Sequence, residues 1–244
     1  VTLTDDGEAM ALAARFAPAA DFSAKALVKL WPKAEDPDAF AAALLAPALR
    51  REGTGSLRPR RVTSLTGLRH LTMLDALSLI ECKEVTDFDE VGALTGLTSL
   101  HLDNRTGVDD LTPLRALTGL THLVPYRCRA VEDVAPLLPL SRRVRLDIDT
   151  SRISSVAGFG AAFPTPETLS LRGNTRLQDV AQLSGLRRLT ALDLGNTGIH
   201  DLAGLLDMPS LQRALLPSRL FTAASDGSAD PVVAELRARG VTAF

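Results

Sequence analysis

Leu189-Thr-Ala-Leu192-Asp-Leu194-Gly-Asn-Thr197-Gly-Ile199-His-Asp-Leu202 is the stretch whose reading decides the fold. Leu192 and Leu194 alternate with polar neighbours, which is the period of a half-buried strand. Thr197 ends that strand. Ile199, Leu202 and Leu205 then follow at about the spacing of a tight helical or 3₁₀ turn. The same phrase occurs six times, every 22 or 23 residues. The other copies run through Leu74, Leu77, Leu79, Cys82; Leu97, Leu100, Leu102, Arg105; Leu120, Leu123, Pro125, Cys128; Leu146, Ile148, Ser151; and Leu169, Leu171, Asn174. A period of this size implies a solenoid, because each unit can bury its apolar side only against its neighbours.

Working outward, the repeat before Leu74 is degenerate. Val62, Leu65, Leu68 and Leu71 fit its second half, whereas Thr54, Ser56 and Pro59 do not fit a strand. Residues 1–52 read as a helical N-terminal cap, with start signals at Asp5–Asp6, Asp21–Ser23 and Asp36-Pro37-Asp38. Leu12, Phe16, Leu27, Trp31, Phe40, Leu45 and Leu49 supply its buried stripes. Residues 53–217 form the repeats. Residues 218–244 form a C-terminal cap, in which Asp230-Pro231 opens a helix and Val241–Phe244 adds a last short strand.

Short returns make successive strands parallel and adjacent. Each coil is wider on its helical side than on its strand side, so the stack bends with the strands inside. The Asn/Cys/Thr position turns a small side chain inward toward the backbone of adjacent turns. Arg105 breaks that rule. Asp87, Asp110, Asp133, Ser155, Asp179 and Asp201 precede the helical turns as caps for their free N–H groups. Five aspartates and one serine at one phase read as a structural ladder, not as an acid–base pair.

Leu169-Ser-Leu-Arg-Gly-Asn174 and Ala191-Leu-Asp-Leu-Gly-Asn-Thr197-Gly-Ile199-His-Asp-Leu202 resemble leucine-rich repeats. The Asp-Leu-x-x-Leu ending is similar to the internalin-like and SDS22-like classes, and the resemblance covers residues 57 to 216. It implies an α/β solenoid: a right-handed leucine-rich repeat arc with a parallel concave sheet, a helical N-terminal cap and an αβ C-terminal cap. It also implies a non-enzymatic scaffold that binds a protein partner on its concave face. The Arg-rich, Ala-rich composition looks bacterial. A second resemblance, to the sensor end of a NACHT/STAND signalling ATPase, would place the motor outside this chain. No Lys is followed by Ser or Thr, so no phosphate-binding loop of that type is present.

Composition narrows the classes further. Apolar residues make up 45% of the 244 residues, which argues against disorder. The net charge of −2 argues against a nucleic-acid binder, which is usually basic. No apolar run is long enough to span a bilayer. The acidic start, with Asp5, Asp6 and Glu8, is unlike a signal peptide, so a cytoplasmic location is expected. A start at Val1 suggests excision from a longer chain or reassignment of the first residue. Cys82 and Cys128 lie two repeats apart, roughly 10 Å at about 4.8 Å per strand. That exceeds the reach of a disulfide, and both are read as buried thiols in a reducing compartment.

Three outward columns line the expected inner face. The first is Ala76, Ser99, His122, Arg145, Thr168 and Ala191; the second is Ser78, His101, Val124, Asp147, Ser170 and Asp193; the third is Ile80, Asp103, Tyr126, Asp149, Arg172 and Gly195. Tyr and Arg dominate binding hot spots, so Tyr126 with Arg145 and Arg172 is the expected anchor. His101, Asp103, His122, Asp147, Asp149 and Asp193 complete the expected partner surface. A metal held by His101, His122, Asp103 and Asp147 is disfavoured because adjacent exposed strand positions diverge. A Ser78–His101–Asp103 catalytic set lacks a nucleophile elbow and an oxyanion loop. No cofactor is expected. Arg50, Arg51, Arg58, Arg60 and Arg61 read as a solvated edge between cap and first repeat.

Overall fold

The computed structural model describes residues 22–103, 107–140, 145–162, 166–222 and 230–244. The start signal at Asp5–Asp6, the stripe at Leu12 and Phe16, and the irregular Arg105 lie outside the described residues. Nine parallel strands form one open sheet in chain order: β1 Ser56–Leu57, β2 Ala76–Ile80, β3 Ser99–Asp103, β4 His122–Tyr126, β5 Arg145–Asp147, β6 Thr168–Ser170, β7 Ala191–Asp193, β8 Arg213–Leu215 and β9 Thr242–Ala243. Every crossover passes through the opposite, helical side, which gives a right-handed solenoid.

The register stacks one leucine per coil. Leu57 pairs with Leu77, and the row continues through Leu100, Leu123, Leu146, Leu169 and Leu192 to Ala214 and Ala243. None of the leucines in this row is more than 4% exposed. The first step, from Ser56 to Ala76, is 20 residues, against 23 between Ala76 and Ser99. The degenerate first repeat therefore does contain a strand, with Leu57 in the leucine position. The periodic reading missed it because this coil is short.

Opposite the sheet run short turns: Leu68–His70, Asp89–Gly92, Thr112–Ala116, Ala135–Leu137, Phe159–Ala162, Ala181–Leu183 and Ala203–Asp207. The expected ladder of capping side chains precedes six of them. Asp87, Asp110, Asp133, Asp179 and Asp201 each accept a backbone N–H two residues on at 2.7–2.8 Å, and Ser155 does so at 3.1 Å. The bond is the short Asx or ST turn that leads the chain into the helical turn. The residue between, such as Phe88 or Val134, occupies the N-cap backbone position itself. A threonine ladder that the sequence did not announce supports the other edge. Thr98, Thr121 and Thr190 donate their hydroxyls to carbonyls of the preceding coil at 2.9–3.1 Å.

The Asn/Cys/Thr position turns inward as expected. Asn174 donates to the carbonyls of Ile148 and Leu171 at 2.7 Å and accepts from the Ser151 amide at 3.2 Å. Thr197 donates to Leu194 O at 2.7 Å. Cys82 and Cys128 are both buried thiols, and burial pushes the Cys82 thiol up from its ordinary value. The residue just before this position is left-handed in coil after coil: Arg61, Glu81, Arg127, Thr150, Gly173 and Asn196 all have φ between 55° and 77°. Gly173 needs to be glycine twice over, because a Cβ there would also lie 2.8 Å from the Thr150 hydroxyl.

Before β1, a helix at Ala24–Leu30, a turn at Trp31–Lys33 and a helical stretch from Pro37–Phe40 to Ala46–Arg51 cover the first coil. Ser23 and Asp36 cap these segments, and the buried Trp31 donates its indole N–H to Thr66 O at 2.9 Å. His70 lies 3.1 Å from Asp38 and is half-buried. At the other end the helix Pro231–Ala238, capped by Asp230, returns the chain to β9.

Leu123→Ala removes a buried member of the central row and is expected to destabilise the protein by about 2–5 kcal/mol, read as a lowered urea midpoint. Thr150 is β-branched and left-handed, which strains its backbone by about 1–2 kcal/mol. Thr150→Gly is therefore expected to raise the melting temperature by about 2–4 °C, the gain being trimmed by the extra freedom of glycine in the unfolded chain.

Candidate binding surface

Alternation along the strands sends one set of side chains into the leucine interior and the other onto the inner face. Register aligns Ala76, Ser99, His122 and Arg145 in the first column. It places Ser78, His101 and Val124 in the second, and Ile80, Asp103 and Tyr126 in the third. Thr168–Ala191 and Ser170–Asp193 continue the first two columns across β6 and β7. The register carries the first two columns as far as β7 and the third as far as Tyr126.

The structure extends the face in both directions. Arg60 bridges to Ile80 and so joins the third column, and Arg58 stands in the second beside Ser78. Both arginines are exposed to solvent, just past the strand that lies next to the cap. Arg213 extends the first column beyond Ala191.

The charged side chains on the C-terminal half are organised among themselves. Arg145 Nε lies 2.9 Å from Asp147 Oδ2, and Arg172 lies 3.7 Å from Asp193. Asp193 Oδ1 also accepts the Gly195 amide at 2.8 Å. Ser170 donates its hydroxyl to Asp149, at the centre of this group. Burial raises the Asp149 carboxyl above its ordinary value, and the negative charges of Asp147 and Asp193 push in the same direction. Hydrogen bonds from Ser170 and the Arg172 backbone oppose the shift. Both arginines of the expected anchor are engaged by neighbouring carboxylates.

Tyr126 is half-buried on β4, opposite Asp103 in register. Its ring is covered by the guanidinium of Arg127, 5.0 Å from the centroid. This is a cation–π contact that the repeat pattern did not reveal. Arg127 is the left-handed residue of its coil, with φ 57°, and donates its amide to Asp149 O at 3.0 Å. That turn redirects a residue which alternation alone would send elsewhere. Among the described residues the Tyr126 hydroxyl has no hydrogen-bond partner, nor do any three His, Cys, Asp or Glu side chains gather as a metal site. His101 and His122 are exposed, and His122 Nδ1 lies 3.0 Å from the Thr121 hydroxyl.

Asp149 makes stability pH-dependent. Its folded-state pKa is raised, so between the ordinary carboxylate value and the raised one the folded chain binds more protons than the unfolded chain. Stability from this group falls as pH rises through that window. Asp149→Asn keeps an oxygen for Ser170 and removes the charge. It is expected to raise the melting temperature near about pH 7 and to make little difference near about pH 3, below the ordinary carboxylate range.

No known family pattern matches the chain, and no curated protein matches it. Solved structures do. Internalin C2 from Listeria monocytogenes aligns with a TM-score of 0.60 at 24% identity, covering 79% of this chain and 81% of that one. An internalin, inlF, from the same organism aligns with a TM-score of 0.51 at 20% identity, over 79% of this chain and 67% of that one. The leucine-rich repeat domain of the type III effector XopL aligns with a TM-score of 0.50 at 16% identity, over 92% of this chain and 99% of that one. Among the described residues no helix is long and apolar enough to cross a membrane. With the leucine row, the inward Asn174 and the one-sided parallel sheet, these alignments show that the chain has the internalin-like leucine-rich repeat fold.

Proposed function

We propose that this chain is a non-enzymatic protein-recognition module that holds a partner against its inner strands, with Tyr126 at the centre of the contact. Residues 1–52 and 218–244 serve in this reading as end caps for the repeats at 53–217. The observation that carries the proposal is the state of Tyr126: a half-buried aromatic in mid-sheet, its ring against the Arg127 guanidinium and its hydroxyl bonded to none of the described residues. A side chain of that kind offers a large apolar area with little entropy to lose and one hydrogen bond to give.

The surrounding charges favour specificity. Asp147, Asp149 and Asp193 are held by Arg145, Ser170, Gly195 and Arg172 before any partner arrives. Exposed ion pairs of this type add little to stability, about 0–1 kcal/mol. Their value lies in fixing the positions of donors and acceptors. A partner that matches them meets a preformed pattern, and one that does not must desolvate charges without replacement. His101, Asp103 and His122 flank this region and belong to the same proposed contact.

Capture of partners from the source cell, read by mass spectrometry with wild type beside Tyr126→Ala/Arg145→Glu, tests the reading. The double variant is expected to lose the specific partner while its circular dichroism spectrum and melting curve stay close to wild type. Retention of that partner at unchanged affinity overturns the Tyr126-centred contact.

A further inference from the structure

The N-terminal end of the sheet carries a second surface, separate from the Tyr126 region. A groove of about 820 Å³ lies between the helix Ala24–Leu30 with its following turn and the first strand, β1. Its charge is one-sided. Lys25, Lys29 and Lys33 line one wall at helical spacing, and Arg58, Arg60 and Arg61 line the other. Three of the four lysines of the whole chain therefore face this one groove. Glu52 is the single acid among the lining residues, and it is occupied in accepting the Ala24 amide at 2.7 Å. Of the six cations only Arg61 has an ion pair among the described residues, with Glu81 at 2.6 Å.

Among the described residues, the groove also has an unpaired strand edge. β1 is the first strand of the sheet and pairs only with β2. Gly55 O and Pro59 O accept from β2 residues, and the Arg61 amide donates to Ile80 O. Peptide groups of a parallel strand face its two sides alternately. The N–H and C=O groups of Ser56, Arg58 and Arg60 consequently point away from β2, toward the open edge. Beneath them the floor is apolar, formed by Val28, Leu49 and Val62.

We infer that this groove binds an extended acidic peptide segment of another protein, which adds to the edge of β1 as a further strand. Three features select that occupant. The uncovered donors and acceptors recur every second residue, as a strand requires. The apolar floor takes the inward-facing side chains of such a strand, and the two basic walls take the outward-facing carboxylates. A single-stranded nucleic acid would answer the charge but not the rest: none of the described lining residues is aromatic, and base stacking needs such platforms.

Fluorescence anisotropy of the full chain with a fluorescein-labelled peptide of alternating Asp and Val residues tests the inference. Saturable binding is expected, weakening with salt and falling by about tenfold or more in Lys29→Glu/Arg58→Glu. Lys83→Glu and Tyr126→Ala/Arg145→Glu should bind the peptide as wild type does, which separates this site from the Tyr126 contact. The same peptide N-methylated at alternate residues should lose binding, because it cannot pair with a strand edge. Lys29 and Arg58 are both exposed, so their reversal leaves the fold intact, and circular dichroism verifies this. The inference is overturned if wild type fails to bind the peptide, or if the Lys29/Arg58 variant binds it equally well. It is equally overturned if N-methylation has no effect, or if a deoxythymidine oligonucleotide of equal charge binds more tightly than the peptide.

Discussion

No coil of this protein has an interior of its own; each closes only when the next one lies against it. Leu100 is buried because Leu77 and Leu123 flank it in register, and the same holds along the row to Leu192. Burying a leucine contributes about 1.5–3 kcal/mol, so the interface between neighbours supplies what a single turn of chain lacks. The remaining regularities serve that contact. A left-handed residue in six of the coils, among the described residues, swings the chain off the strand, and an inward Asn174 or Thr197 satisfies the carbonyls that the bend exposes. Aspartates such as Asp110 then lead it into the helical turn. The coil Arg145–Ala162 departs from this scheme. It places β-branched Thr150 at the left-handed position and, among the described residues, leaves the buried Ser151 hydroxyl without a partner.

The inner face inherits its rigidity from the same stacking. Side chains that meet there come from different coils, yet their backbones are locked about 4.8 Å apart by the sheet. Asp149 and Ser170, or Arg172 and Asp193, are therefore positioned by leucines on the far side of the strands. A surface built in this way loses little freedom when a partner docks. The first coil is different in kind. It is 20 residues long, no strand among the described residues covers its outer edge, and the helix beside it faces that edge with lysines.

Much of this was legible in the linear pattern. The phase of the leucines placed β2 to β7, the aspartate ladder marked the turns, and Asp36 and Asp230 marked helix starts. The columns holding Tyr126, Asp147 and Asp193 followed from alternation alone. Leu57 was hidden because the short first coil breaks the 23-residue step. With it were hidden the places of Arg58 and Arg60. Arg127 escaped notice because alternation describes strands, and this residue has already left its strand through a positive φ.

The amino-acid order by itself determined the class of fold. The period of apolar residues is a local property, and a coil with one apolar side can be satisfied only by repetition. Which charges meet was decided by the tertiary structure, because residues about one coil apart become neighbours only once the register is set. The pairing of Arg172 with Asp193 and the burial of Asp149 depend on that register, and the Arg127–Tyr126 contact depends on the left-handed turn at Arg127. The basic groove depends on something further still. Lys25, Lys29 and Lys33 face Arg58 and Arg60 because Trp31 fixes the helical segment against the first coil, a contact between residues 35 positions apart that no periodicity encodes.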